Sequence, residues 1–184
     1  MKPTVLIFVG LPGCGKTTAS SYLEKKNIPA VRMGDVTDKS LKEAGLSATS
    51  ENEKRIREEL RSKYGEDIYA KKTADKVKLL LNNHPLVVID GARSIAEFEY
   101  FKKYFPSMKL VFCEVAQDMR YRRLSQRKVR PLTPAAAKER DISELSRLGL
   151  YALRKSADFI INNNGTKEQL FSDLDELLKK LNTE

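Results

Sequence analysis

Eight residues near the start of the chain, Gly10-Leu11-Pro12-Gly13-Cys14-Gly15-Lys16-Thr17, match G-x-x-x-x-G-K-[ST] at every fixed position. They restrict the fold more than any other feature, because the pattern works only between a strand and a helix. Both neighbours fit: the apolar run Val5–Val9 precedes the loop, and the helix-competent stretch Thr17–Lys26 follows it. Glycines let successive backbone N–H groups turn inward around phosphate oxygens, and the N-terminus of the new helix adds its partial positive charge. The stretch Gly10 through Thr17, with Thr18 in the first helical turn, is therefore expected to cradle the phosphates of ATP. Lys16 reaches the β- and γ-phosphates, and the Thr17 hydroxyl can ligate Mg²⁺. A dinucleotide-binding reading of Gly13-Cys14-Gly15 fails, since its third glycine would fall at Thr18. No Asn-Lys-x-Asp stretch for guanine and no ABC-type signature occurs. Cys14 reads as a small loop residue, with an oxidation-sensitive thiol as the alternative.

The rest of the chain keeps up the alternation that this loop needs. Short β-rich runs occur at Thr4–Val9, Pro29–Met33, Leu86–Asp90, Lys109–Val115 and Asp158–Ile161. Three of them are near-continuously apolar, as expected of parallel strands covered on both faces. Ser50-Glu51-Asn52-Glu53, Ser94-Ile95-Ala96-Glu97 and Thr166-Lys167-Glu168-Gln169 read as capping boxes, and Gly65 suits a helix stop. Thr133-Pro134 sets an N-cap before a proline at the first helical position; Ile142, Leu145 and Leu148 supply an apolar stripe that Gly149 can end. The predicted fold is α/β: a three-layer α/β/α P-loop NTPase with a five-stranded parallel sheet and a short helical lid. One domain is expected over residues 1–184, with a helical acceptor-binding region at about 35–82 and an arginine-rich lid at about 118–149.

At 184 residues the chain can bury about 70% of its unfolded surface without disulfide or metal staples. Its longest apolar runs, Val5–Val9, Leu86–Ile89 and Leu110–Cys113, fall far short of the roughly 20 residues that span a bilayer. Met1-Lys2-Pro3-Thr4 leads straight into the first run, which leaves no room for a signal peptide. Cys14 and Cys113 give neither a disulfide framework nor metal-type spacing. Secreted, membrane-spanning and zinc-finger readings are set aside, and a cytoplasmic location is expected. The balance of 34 Lys+Arg against 25 Asp+Glu, net +9, points to anionic partners: nucleic acid, anionic lipid or phosphorylated small molecules.

Where that charge sits decides among them. Ile89-Asp90-Gly91-Ala92-Arg93 closes the third expected strand, at the sheet edge where ligands of open parallel sheets bind. Asp90 can hold Mg²⁺ or its water, and Arg93 can bind a second substrate's phosphate. Met33-Gly34-Asp35-Val36 ends the second strand at the same edge. Asp35 reads either as a base toward an acceptor hydroxyl or as an N-cap for a helix around Lys39–Ala44. Arg120, Arg122, Arg123, Arg127, Lys128 and Arg130 crowd together without one acid, with Arg120, Arg123 and Arg127 spaced to share a helix face. A solvated face and RNA contact are the bland alternatives. After the fourth strand, phosphate-clamping arginines in a lid fit better, with Arg140 opening the second arm. The loop after the fifth strand, with Asn164 and Gly165, can contact adenine. Phe98, Tyr100, Phe101, Tyr104 and Phe105 read as helix packing, and His84 as a turn residue.

Taken in order, these residues resemble the nucleoside monophosphate kinase superfamily. Gly34-Asp35-Val36 resembles the start of the AMP-site motif of adenylate kinases, and Asp90-Gly91-Ala92-Arg93 their Asp-Gly-Phe-Pro-Arg segment. Arg57–Gly65, Asp90–Glu97, Glu139–Leu145 and Ala157–Gly165 are most similar to an adenylate-kinase-related group known mainly from archaea. Ala157–Gly165 also resembles the end of bacterial dephospho-CoA kinases. Two departures stand out. Asp38 occupies the place where adenylate kinases carry an arginine, which argues against AMP as acceptor unless Arg32, Arg57 or Arg61 compensates. The Phe-Pro pair before the arginine is reduced to Ala92.

The resulting expectation is an ATP·Mg²⁺-dependent phosphotransferase acting on a nucleotide or nucleotide-like small molecule. Lys16 and the loop hold the donor, Thr17 and Asp90 serve Mg²⁺, Arg93 holds a phosphorylated acceptor, and Arg123, Arg127, Arg130 and Arg140 clamp the phosphoryl group. The alternatives are dephospho-CoA kinase, with Asp35 as base, and a regulatory or RNA-associated ATPase that puts its arginines on a polyanion.

Overall fold

The first strand is apolar at five of its six positions and must be covered on both faces, and the fold is arranged around that requirement. In the computed structural model, which describes residues 2–147 and 149–183, β1 (Thr4–Val9) is buried throughout. It lies at the centre of a five-stranded sheet with β2 (Ala30–Arg32), β3 (Leu86–Asp90), β4 (Met108–Glu114) and β5 (Phe159–Asn162), in the order β2-β3-β1-β4-β5. All pairings are parallel; Ile7 lies level with Ile89 on one side and Leu110 on the other. Alternate residues of β1 feed two cores. Val5, Ile7 and Val9 pack under α4 (Ile68–Leu81), α5 (Ile95–Tyr104) and α8 (Leu150–Lys155). Leu6 and Phe8 pack under α1 (Lys16–Glu24) and α9 (Lys167–Thr183). Each such side chain contributes about 1.5–3 kcal/mol when fully buried. Among the described residues, no helix is long and apolar enough to cross a membrane.

Strand positions match the sequence reading to within two residues at each end, whereas several helix boundaries differ. The cap of α3 (Ser50–Tyr64) is Thr49, one residue before the expected box, and its hydroxyl accepts from the Asn52 amide at 3.2 Å. Gly65 then stops the helix at φ 95°. The Ser94–Glu97 box has both its bonds, and Thr166 and Gln169 exchange bonds of 2.8 and 3.3 Å at the head of α9. Helix α2 (Asp35–Glu43) begins at Asp35 with Gly34 as its cap, earlier than the expected Lys39–Ala44.

The arginine-rich segment is rearranged most. Helix α6 (Gln117–Ser125) ends before Arg127, so the expected common face of Arg120, Arg123 and Arg127 does not form. Thr133 caps α7 (Pro134–Ile142) as expected, but α7 passes into a π-helical turn at Ser143–Arg147. The apolar stripe expected there is not buried, since Ile142 is 56% and Leu145 40% exposed; Leu148 lies outside the described residues. A small core of Leu124, Leu132 and Ala137 holds α6 and α7 together instead. Gly149 starts α8 rather than ending α7.

Candidate active site

The loops at the carboxyl ends of β1, β2 and β3 open into a cavity of about 630 Å³, which α3, the α6–α7 loop and the π-helical turn also line. Its floor is the glycine loop. Gly13 and Gly15 take φ of 85° and 100°, where a side chain is strained. A Cβ on Gly13 would also lie 2.8 Å from the Arg120 carbonyl oxygen, and one on Gly15 would run into the Asn163 amide. The loop is braced from below at both places. Arg120, 4% exposed, donates to the Pro12 carbonyl at 3.2 Å, and Asn163 donates to the Cys14 carbonyl at 2.9 Å.

Lys16 folds back on this loop, its ammonium donating to the Gly10 carbonyl at 2.6 Å and contacting Leu11 O and Cys14 Sγ at 3.4 Å. The Thr17 hydroxyl donates to Asp90 Oδ2 at 3.0 Å, and Asp90 at the end of β3 is only 4% exposed. A hydroxyl and a buried carboxylate meeting beside a phosphate cradle are the donor set Mg²⁺ takes in such loops, so the residues present fit ATP and Mg²⁺. Thr18 lines the cavity beside them. Behind the loop, the buried Cys14 and Cys113 thiols share a hydrogen bond that, with Lys16, lowers the Cys14 pKa to about 6 despite burial. Cys113 is pushed well up by that hydrogen bond, by burial and by the charge on Cys14.

The expected arginines separate into two sets. Near the loop, Arg123 donates to the Asn163 carbonyl at 3.0 Å and Arg127 stands at the rim; neither has a carboxylate within ion-pair distance among the described residues. Arg120, the buried member of the cluster, is committed to a bidentate pair with Asp141 at 3.0 and 2.7 Å. Arg93, Arg130 and Arg140 face the other end and are all paired. Arg130 bonds Asp38 and contacts Glu53, each at 2.8 Å. Arg93 and Arg140 converge on Glu144 of the π-helical turn at 3.4 and 3.1 Å. Burial, then repulsion from Arg93 and Arg57, pulls Arg140 down to about 10. Burial pushes Glu144 up, but Arg93, Arg140 and Lys16 together hold it below the ordinary carboxylate range.

Five of the expected site residues do not line the cavity. Asp35 is half-exposed on α2 and paired with Arg32 at 2.8 Å; the carboxylate that reaches the cavity from this helix is Asp38, which Arg32 also bonds. Asn164 is exposed and accepts from the Ala116 amide at 2.8 Å, leaving Asn163 and Gly165 as the lining members of that loop. Gly10, Leu11 and Cys14 belong to the loop but not to the cavity lining. Glu97 and Glu144 have no site role in the sequence reading, where Glu97 is a capping residue and the two fall within the resemblance segments Asp90–Glu97 and Glu139–Leu145. Glu97 accepts from Arg61 at 3.0 Å and from the Arg93 amide at 2.7 Å, and burial raises its pKa against those partners. Arg61 in turn lies 4.9 Å over the Tyr69 ring, and the Tyr69 hydroxyl meets that of Thr37 at 2.8 Å. No local pattern marks Glu144, which gains meaning only once α7 brings it beside Arg93.

A glycine loop closing the central strand of a parallel sheet, with a buried carboxylate on the next strand, defines a P-loop α/β protein of kinase-like architecture. The chain belongs to the AAA_18 family (AAA domain), matched over residues 6–142, and to the UPF0200 family of its relatives. A UPF0200 protein of Thermococcus gammatolerans is 34% identical over 181 residues, covering 96% of this chain and 95% of the relative. A UPF0200/UPF0201 protein of Archaeoglobus fulgidus is 37% identical over 180 residues; the match takes in 96% of this chain but only 55% of that longer relative. Among solved structures, shikimate kinase from Bacteroides thetaiotaomicron shares the fold with a TM-score of 0.63 at 18% identity, covering 97% of this chain and 98% of the other. Shikimate kinase from Acinetobacter baumannii, in complex with shikimate, gives 0.60 at 19% identity over 98% and 94% of the two chains.

Proposed function

We propose that this protein is an ATP·Mg²⁺-dependent phosphotransferase acting on a nucleotide or nucleotide-like small molecule in the cytoplasm. The observation that carries the reading is the Thr17–Asp90 contact at the mouth of the glycine loop, with Lys16 beside it and a second, arginine-lined end to the same cavity. The loop amides and Lys16 hold the donor phosphates, while Thr17 and Asp90 hold Mg²⁺, which when bound neutralises charge on the β- and γ-phosphates. Arg123 and Arg127 face the donor, and Arg93 and Arg140 stand where the phosphoryl group passes to the acceptor. Positioning and electrostatics carry such a transfer, so no covalent nucleophile is required. Two proteins of the same fold are shikimate kinases, which agrees with this reading.

The arrangement of the arginines favours transfer over a polyanion-driven ATPase. Arg120 is buried against Asp141, and Arg123, Arg127 and Arg130 line the cavity rather than an outer face. The test is a phosphotransfer screen with ATP·Mg²⁺ against nucleosides, nucleoside monophosphates and dephospho-CoA, with Lys16→Ala as blank. A phosphorylated acceptor well above the blank is expected; ATP loss equal in both proteins would overturn the reading.

A further inference from the structure

The two cysteines of the chain, far apart in sequence, meet behind the phosphate cradle. Cys14 belongs to the glycine loop and Cys113 to β4, and both are free thiols buried from solvent. Gly10 makes the meeting possible. A Cβ there would lie 2.8 Å from Cys14 Sγ and 2.5 Å from the Cys113 carbonyl oxygen, so a larger residue would part the loop from β4. The thiols share a hydrogen bond, and the Lys16 ammonium approaches Cys14 Sγ at 3.4 Å. Both neighbours favour the ionised sulfur of Cys14, which is the nucleophilic form. Gly13, Gly15 and Lys16 line the cavity, so Cys14 sits one layer behind an open surface. Phosphoryl transfer as proposed above makes no use of either sulfur.

We propose that this pair is an oxidation site, at which a small hydroperoxide converts Cys14 and Cys113 to an intrachain disulfide that closes the cradle to ATP. The Cys14 thiolate attacks one peroxide oxygen, the O–O bond breaks, and the hydroxide or alkoxide that leaves takes a proton from solvent. The sulfenic acid so formed has its resolving thiol already beside it. The Cys113 sulfur attacks the Cys14 sulfur, the S–O bond breaks, and the hydroxyl departs with the Cys113 proton as water. Both electrons lost by the dithiol end on the peroxide. Burial of the two sulfurs restricts the oxidant to a small one. The consequence for ATP rests on the kinase reading above. Covalent closure draws the Cys14 backbone toward β4. That backbone shapes the cradle: its amide donates to the Leu11 carbonyl at 3.2 Å, and its carbonyl accepts from Asn163 at 2.9 Å. Loop amides shifted with it lose their alignment on phosphate oxygens.

The test treats the full, reduced chain with millimolar hydrogen peroxide and reads intact mass and peptide maps without reductant. The expected product has lost the mass of two hydrogen atoms and yields a peptide joining Cys14 to Cys113. Its affinity for a non-hydrolysable ATP analogue with Mg²⁺ is expected to be at least about tenfold weaker, and dithiothreitol restores mass and affinity together. Cys113→Ser, or Cys113→Ala if the first does not give a cooperative melting curve, should lose the cross-link and leave a Cys14 sulfenic acid that dimedone traps on unfolding. Thiols that stay reduced or gain only oxygen in the wild-type protein would overturn the proposal. So would a cross-linked protein that binds the analogue as tightly as before. Reduced protein that binds no analogue would sink the kinase reading and the ATP half of the proposal, while the joined peptide still decides the other half.

Discussion

The two ends of the cavity are built from different materials. The donor end is mostly backbone: glycines in left-handed conformations, carbonyls braced by Asn163 and Arg120, one buried carboxylate, Asp90, on the Thr17 hydroxyl, and in Lys16, Arg123 and Arg127 three cations with no ion-pair partner among the described residues. The acceptor end is almost entirely side chain, drawn from α2, α3, α5, α7 and the π-helical turn and tied into alternating charges. A ligand common to many proteins is held by groups any sequence possesses, positioned by glycine. A ligand particular to this one is held by side chains whose meeting depends on the whole fold.

Four measurements sharpen or break that contrast. Lys16→Ala removes the one side-chain cation within the loop and should lower phosphotransfer by about 10²–10³ while leaving the melting temperature close to wild type. Glu97→Ala should do the reverse, because it strands Arg61, buried against Tyr69, without its main partner. Breaking a buried pair costs about 3–5 kcal/mol, which for a chain of this size lowers the melting temperature by about 10 °C in calorimetry. A Glu97→Ala protein as stable as wild type would mean that the acceptor-end network is slack. Asp90→Asn is expected to weaken nucleotide binding about 10–100-fold in the presence of Mg²⁺ and to leave binding in EDTA unchanged. Equal loss in both conditions would assign Asp90 to loop support instead.

The smallest effect is at Cys14. Thiolate absorbance near the far-ultraviolet edge should titrate with a midpoint of about 6, and Lys16→Ala should move that midpoint up. Because the folded thiol ionises below its unfolded value of about 8.5, its stabilisation is complete above that pH and fades as the pH falls toward about 6. A flat absorbance profile across this range would remove Lys16 and the Cys113 thiol as partners of a charged Cys14.

This contrast also explains what could be read from the chain alone. The glycine loop, the five strands and Asp90 were legible because each is a local pattern: fixed spacing, an apolar run, an acid at a strand end. Arg127 was misplaced because helical spacing from Arg120 says nothing about α6 ending at Ser125. Asp35 and Asp38 sit on one helix three residues apart, and only the tilt of α2 decides which enters the cavity. Arg120 looked like its neighbours, yet the acid that claims it lies 21 residues further on. Glu144 sits in a turn whose expected apolar neighbours proved exposed, so the pattern there pointed away from its burial.

The brace under the glycine loop has a consequence for how the protein is made. Asn163 reaches the Cys14 carbonyl across 149 residues of chain. At synthesis rates of about 5–20 residues per second, the loop waits roughly 7–30 s for the side chain that props it. During that interval the nascent chain already carries every residue of the nucleotide motif but lacks its support. Nucleotide can therefore assist folding fully only once β5 has docked at the edge of the sheet and the loop has acquired its final curvature.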